Sequence, residues 1–329
     1  TLAKIPTAFD RLSRRLGERG AAHEVARTRS ITALDKIYER TESLKEAQIS
    51  ASSYDYLDIE FETLQLDEHG KTDNPTVFFY PKGVSWVPTL CVTDVQGEQR
   101  LKAFTDTWDG ALTHPFLENL ESQVSYLSSW LEHMFSYFQR EIEPSEDSGP
   151  RRTIRQLAEW VPRDSLTPSI FAEKFYLTIW RTGQFTPGAA FVSQRKLASS
   201  ETGTPPPHTL ITLLLSEEPS EALFRAEILT VTAAMITRLE GEECKEYSIV
   251  PVMLVTILGR MKVRVVQAHT SGQALVVKKT RLLDFATSQA ATNNIDILLS
   301  LMGSDHVGYP TDLRHVLKVC IVLAMFVAQ

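Results

Sequence analysis

The chain has 329 residues, 43% of them hydrophobic and 23% charged, with a net charge of −7. That is the profile of an ordinary globular protein with a sizeable core, so no covalent staples are required. Lys and Arg number 10 against 7 Asp and Glu in residues 1–50, 5 against 18 in residues 51–150, and 19 against 16 in residues 151–329; an acidic middle between mildly basic ends argues against non-specific nucleic-acid binding by the whole surface, and leaves room for a local basic site.

Residues 7–48 read as helical, with Ile31, Leu34, Ile37, Tyr38 and Leu44 at roughly helical spacing. From Tyr54 the period changes. "YLDIEFETL" alternates Leu57, Ile59 and Phe61 with Asp58, Glu60 and Glu62, the pattern of a half-buried strand with an acidic outer face. "TVFFY" and "WVPTLCVTDV" read as strands, "QGEQ" as a turn and "RLKAFTDT" as a further strand, followed by an aromatic-rich helix from Pro115 to Ile142. "EPSEDSGPRR" is a polar break and the best boundary. It divides the chain into a helical segment (1–50), an acidic α+β region (51–143) and a second α+β region (151–329), or one continuous domain.

"TIRQLAEWV" reads as a short helix, while "IFAEKFYLTIW" and "AAFVSQRKL" are ambiguous with strand preferred for part of each. "TLITLLLS" is a buried strand. A helix over Glu221–Leu239, capped by Ser220, precedes strands at 248–258, 260–269 and 274–283 and a helix near Ala286–Met302. The apolar run Val319–Ala328 is too short to span a bilayer and reads as a buried terminal element. The fold class is therefore α+β, with mixed or mainly antiparallel sheets flanked by helices and a helix-plus-three-strand unit at 220–285.

Neither GxxxxGK[ST], GxGxxG, GxSxG, HExxH nor a kinase signature set occurs. Cys91, Cys244 and Cys320 are odd in number and widely spaced, which points to reduced thiols in an intracellular protein, cytoplasmic or nuclear. Candidate metal ligands are Asp58, Glu60, Glu62 and Glu227; the first three carboxylates would sit about 7 Å apart along one strand face. Asp106 and Asp109, and the group Asp305, His306, Asp312 and His315, have the same standing.

A helix bearing Glu227 followed by three strands resembles the plan of the restriction-endonuclease-like core. That plan implies an acid on the hairpin and an (Asp/Glu)-x-Lys on the next strand, to hold a metal and activate water. Residues 248–283 contain no carboxylate, and Glu243-Cys244-Lys245 lies in a loop before them, so the catalytic residues of the plan are absent. "LFRAEILTVTAAMITRL", "VPVMLVTILGRMKVRVVQAH" and "LVVKKTRLLDF" together resemble a segment of uncharacterised proteins of filamentous fungi. The resemblance covers about residues 221–285 and implies no activity.

The hairpin "GRMKVRVVQAHTSGQALVVKKTRLLDF" collects positive charge. With a two-residue turn at Ser271-Gly272, Arg264 falls opposite Lys279 and Lys262 opposite Arg281. Like charges directly opposite destabilise a pair, so compensation is expected from solvent, from the protein's own acids, or from an anion held by Lys262, Arg264, Lys279 and Arg281. The leading functional expectation is a non-catalytic intracellular binding or interaction module whose partner is a protein or small anionic ligand, with nucleic acid less favoured and no membrane. The alternatives are a metal-dependent phosphodiesterase or nuclease-like enzyme using Glu227, and a small-molecule-binding biosynthetic protein. No cofactor is indicated.

Overall fold

Leu34, Ile37, Tyr38 and Thr41 fall on one face of a helix by their spacing, and all four are buried in α1 (Ala8–Glu42). The computed structural model describes residues 8–91, 95–108, 117–142, 151–165, 167–181, 185–194 and 205–308. After α1 come the short strands β1 (Gln48–Ile49), β2 (Ile59–Thr63), β3 (Phe79–Tyr80) and β4 (Leu90–Cys91). Next is α2 (Val95–Trp108), where a turn and a strand were expected. Leu101 and Phe104, three residues apart, both pack against the core, which is the helical rather than the extended period.

α3 (Leu120–Glu132) starts at Asn119, whose side chain accepts from the Ser122 N–H. The expected helix to Ile142 ends early. One π turn, His133–Tyr137, closes it, and β5 (Gln139–Glu141) follows. β6 (Arg151–Thr153), α4 (Ile154–Leu157) and β7 (Trp160–Arg163) come next. α5 (Glu173–Arg181) is a helix where strand was preferred. β8 (Phe185–Ser193), β9 (Thr209–Leu215) and β10 (Leu223–Phe224) lead to α6 (Arg225–Glu240). Ser220 caps the turn at Ala222 rather than the helix; the Phe224 N–H at the start of α6 donates to Glu227 Oε2 (2.8 Å). β11 (Val252–Leu258), β12 (Lys262–Thr270), β13 (Leu275–Lys279), β14 (Leu283–Asp284), α7 (Ser288–Met302) and β15 (Asp305–His306) complete the described chain.

The main sheet has the order β2-β13-β12-β11-β9-β8-β7, with β14 beside β12. It is mixed: β11–β9 and β13–β2 run parallel and the other neighbours antiparallel. The fold is thus α+β, and α6 with β11–β13 is the helix-plus-three-strand unit. β11 shows why these strands carry unbroken apolar runs: Val252, Leu254 and Leu258 enter one core, while Met253, Val255 and Ile257 enter the other. α6 lies between the sheet and α1, and is buried on nearly every side. α3 and α7 contribute to the core on the opposite face. Among the described residues no helix is long and apolar enough to cross a membrane.

The hairpin register differs from the expected one by two residues. The loop is Ser271–Ala274, closed by a hydrogen bond from Ser271 N to Ala274 O (2.9 Å), with Gly272 at φ 93°. Val266 then faces Lys279, and Lys262 faces Asp284. Between these pairs Thr280 bonds both backbone groups of Val265, using its own N–H and its hydroxyl. Neither like-charge pair forms.

Candidate functional site

The basic hairpin is neutralised from within. Arg264 is fully buried and meets Glu227, also fully buried: Nε donates to Oε1 (2.7 Å) and Nη2 to Oε2. Thr256, directly across the ladder from Arg264, donates to the same Oε1 (2.7 Å). Lys262 pairs with Asp284 (2.8 Å), Lys278 with Glu62 (2.8 Å) and Lys279 with Glu221 (2.7 Å). Arg281 is exposed. The four cations proposed from sequence therefore do not surround a common cavity, and three of them already hold carboxylates.

The candidate metal ligands are dispersed as well. Asp58 binds Lys36 (2.8 Å) and Arg40 (2.9 Å) of α1, Glu60 is exposed, and Glu62 is occupied by Lys278. Asp305 pairs with Lys82 (3.2 Å), and His306 Nδ1 bonds Ser193 Oγ (2.7 Å) beside a stacked His208 ring (4.7 Å). The side chains of Asp106, Asp109, Asp312 and His315 lie outside the described residues, as do Cys320 and Val319–Ala328. Among the described residues no three His, Cys, Asp or Glu side chains converge to hold a metal ion.

A different site is built by β5 and α7. Arg140, in the middle of β5, is paired to Leu90 of β4 and to Arg152 of β6. Its side chain is 3% exposed and lines a cavity of ≈ 440 Å³. α7 forms one wall with Ser288, Ala291, Thr292, Ile295 and Asp296, which share a face because they are spaced by three and four residues. Trp130 of α3, Met134 of the π turn and Leu101 of α2 close the apolar side, and Val87–Leu90 the rim. The volume is in the range of small-molecule pockets, about 300–1,000 Å³.

The electrostatics of this cavity are unusual for a structural arginine. Arg140 Nη1 donates to Pro88 O (3.2 Å), but Nε and Nη2 have no hydrogen-bond partner. Burial lowers the Arg140 pKa, with Asp296 acting in the opposite direction. Burial likewise raises the Asp296 carboxyl, partly offset by Arg140. The two groups feel each other's charge without forming an ion pair. Buried guanidinium nitrogens are rarely left unsatisfied, because each forfeits its hydration without return.

Arg140 and Asp296 were not singled out from the sequence. Arg140 falls within the helix that the aromatic spacing predicts to Ile142, and its place in a sheet depends on partners outside that segment. Asp296 carried a signal: it is the only charged residue of α7, in an otherwise apolar and neutral segment. A scan against protein-family models, a search of curated proteins and a search of solved structures each returned no match.

Proposed function

We propose that the chain is a non-catalytic binding module that takes a small organic molecule with an anionic group, a carboxylate or phosphate, in the cavity between β5 and α7. The observation that carries this is Arg140, almost fully buried on the cavity wall with two guanidinium nitrogens unpartnered. A carboxylate or phosphate accepts from two guanidinium nitrogens at once, which supplies both charge and geometry. Free thiols at Cys91 and Cys244 support a reducing, intracellular setting. The resemblance of residues 221–285 to fungal proteins adds no activity to this reading.

A metal-dependent phosphodiesterase centred on Glu227 is the weaker reading. Both oxygens of Glu227 are taken, by Arg264, Thr256 and the Phe224 N–H, so a metal ion would have to displace an intact buried network.

Thermal unfolding in the presence of a panel of small carboxylates, amino acids among them, and phosphates tests the proposal. A ligand at 100 times its Kd stabilises the fold by about 2.7 kcal/mol, a Tm rise of about 5 °C or more for a chain of this size. The rise should vanish in Arg140→Met. No shift with any member of the panel, or an undiminished shift in Arg140→Met, overturns the proposal.

A further inference from the structure

Resting on the small-anion reading of the same cavity, we infer that the ligand is a zwitterion: an apolar molecule carrying a carboxylate and an ammonium group, of the amino-acid class. The argument is one of charge balance in a cavity with apolar walls. Arg140 and Asp296 bring one positive and one negative group to the same space, yet they do not neutralise each other directly. A simple anion would satisfy Arg140 and place a second negative charge near Asp296. Asp296 would then have to take up a proton. A molecule with both charges satisfies Arg140 with its carboxylate and Asp296 with its ammonium, and leaves the cavity neutral without any proton change.

The remaining surfaces fit the body of such a ligand. Trp130, Met134, Leu101 and Ile295 offer apolar contact. Ser288 and Thr292 bring hydroxyls on the α7 wall that also bears Asp296. Burial of Arg140 on one side and the half-buried position of Asp296 on the other set the polarity of binding, with the carboxylate innermost.

Isothermal titration calorimetry with three matched probes separates the alternatives. L-Phenylalanine carries both charges, 3-phenylpropanoate only the negative one and phenethylamine only the positive one. The expected result is binding of L-phenylalanine with the other two at least tenfold weaker. Asp296→Asn should abolish the preference for L-phenylalanine over 3-phenylpropanoate, and Arg140→Met should remove binding of both. Asp296 is only half-buried on α7, so its variant keeps the test open if Arg140→Met fails to fold. If 3-phenylpropanoate binds as tightly as L-phenylalanine, the zwitterion inference is overturned while the small-anion reading stands, and heats that depend on the buffer would then report proton uptake by Asp296. If none of the three binds and only carboxylates or phosphates without an ammonium group raise the Tm, the amino-acid class is likewise overturned. Failure of the whole panel, amino acids included, together with all three probes overturns both.

Discussion

Arg264→Met isolates the pair that holds the hairpin to α6. The wild-type guanidinium makes two bonds to Glu227 and one to Ser220 O (2.9 Å), and it lies 5.2 Å from the centre of the Phe224 ring. Methionine preserves much of the apolar stem but leaves the Glu227 carboxylate with only Thr256 and the Phe224 N–H, at 0% exposure. Removing one partner of a buried ion pair costs about 3–5 kcal/mol, mostly as the penalty of the stranded charge. That is a large share of the roughly 5–15 kcal/mol that holds a typical domain together. The double variant Glu227→Gln, Arg264→Met removes both charges and should recover at least half of the loss, because a neutral amide still bonds Thr256. Urea unfolding monitored by far-UV circular dichroism measures both, and the single variant should lower the midpoint by about 1 M or more. A single variant within about 1 kcal/mol of the wild type, or a double variant no better than the single, would refute the account of an internally compensated hairpin.

Acid should weaken the fold through two histidines. Burial pushes His208 down to about 3, against the pull of its bonds to the Phe78 and Val307 backbone; burial, then Lys278, pushes His269 down to about 4. Both folded-state values lie below the ordinary histidine value, so the unfolded chain binds more protons in between. The stability they protect is fully present above pH about 6.5 and is lost as pH falls toward the folded values, at about 1.4 kcal/mol per pH unit for each. His269→Phe should therefore flatten the stability–pH curve between pH 6 and 4.5, measured by urea midpoints; an unchanged slope counts against the assignment. Gly303→Ala tests the packing after α7. A Cβ there would come 2.1 Å from Trp86 Cζ3, and the overpacking should cost about 1–3 kcal/mol; a Tm equal to wild type would show that Trp86 moves aside freely.

Local periodicity determined much of the architecture. The stripe Leu34–Ile37–Tyr38 marks α1, the alternation Leu57–Ile59–Phe61 marks β2, and the unbroken apolar runs of β9 and β11 mark strands buried on both faces. These signals are legible because each residue's environment follows from which face of its own element it occupies. The sequence also determined the absence of the endonuclease acids from residues 248–283 and the clustering of positive charge on the hairpin. The tertiary structure decided what local pattern leaves undetermined. β5 is a strand because β4 and β6 flank it, partners about 50 and 10 residues away that no local spacing records. The hairpin register followed from a four-residue loop and from β14, which brings Asp284 to Lys262 where the shorter turn would have brought Arg281. The candidate site combines both sources. Asp296 was visible as the lone charge of α7, but its relation to Arg140 exists only because a sheet and a helix distant in sequence pack around one cavity, and an interaction between two charges depends on distance through space rather than along the chain.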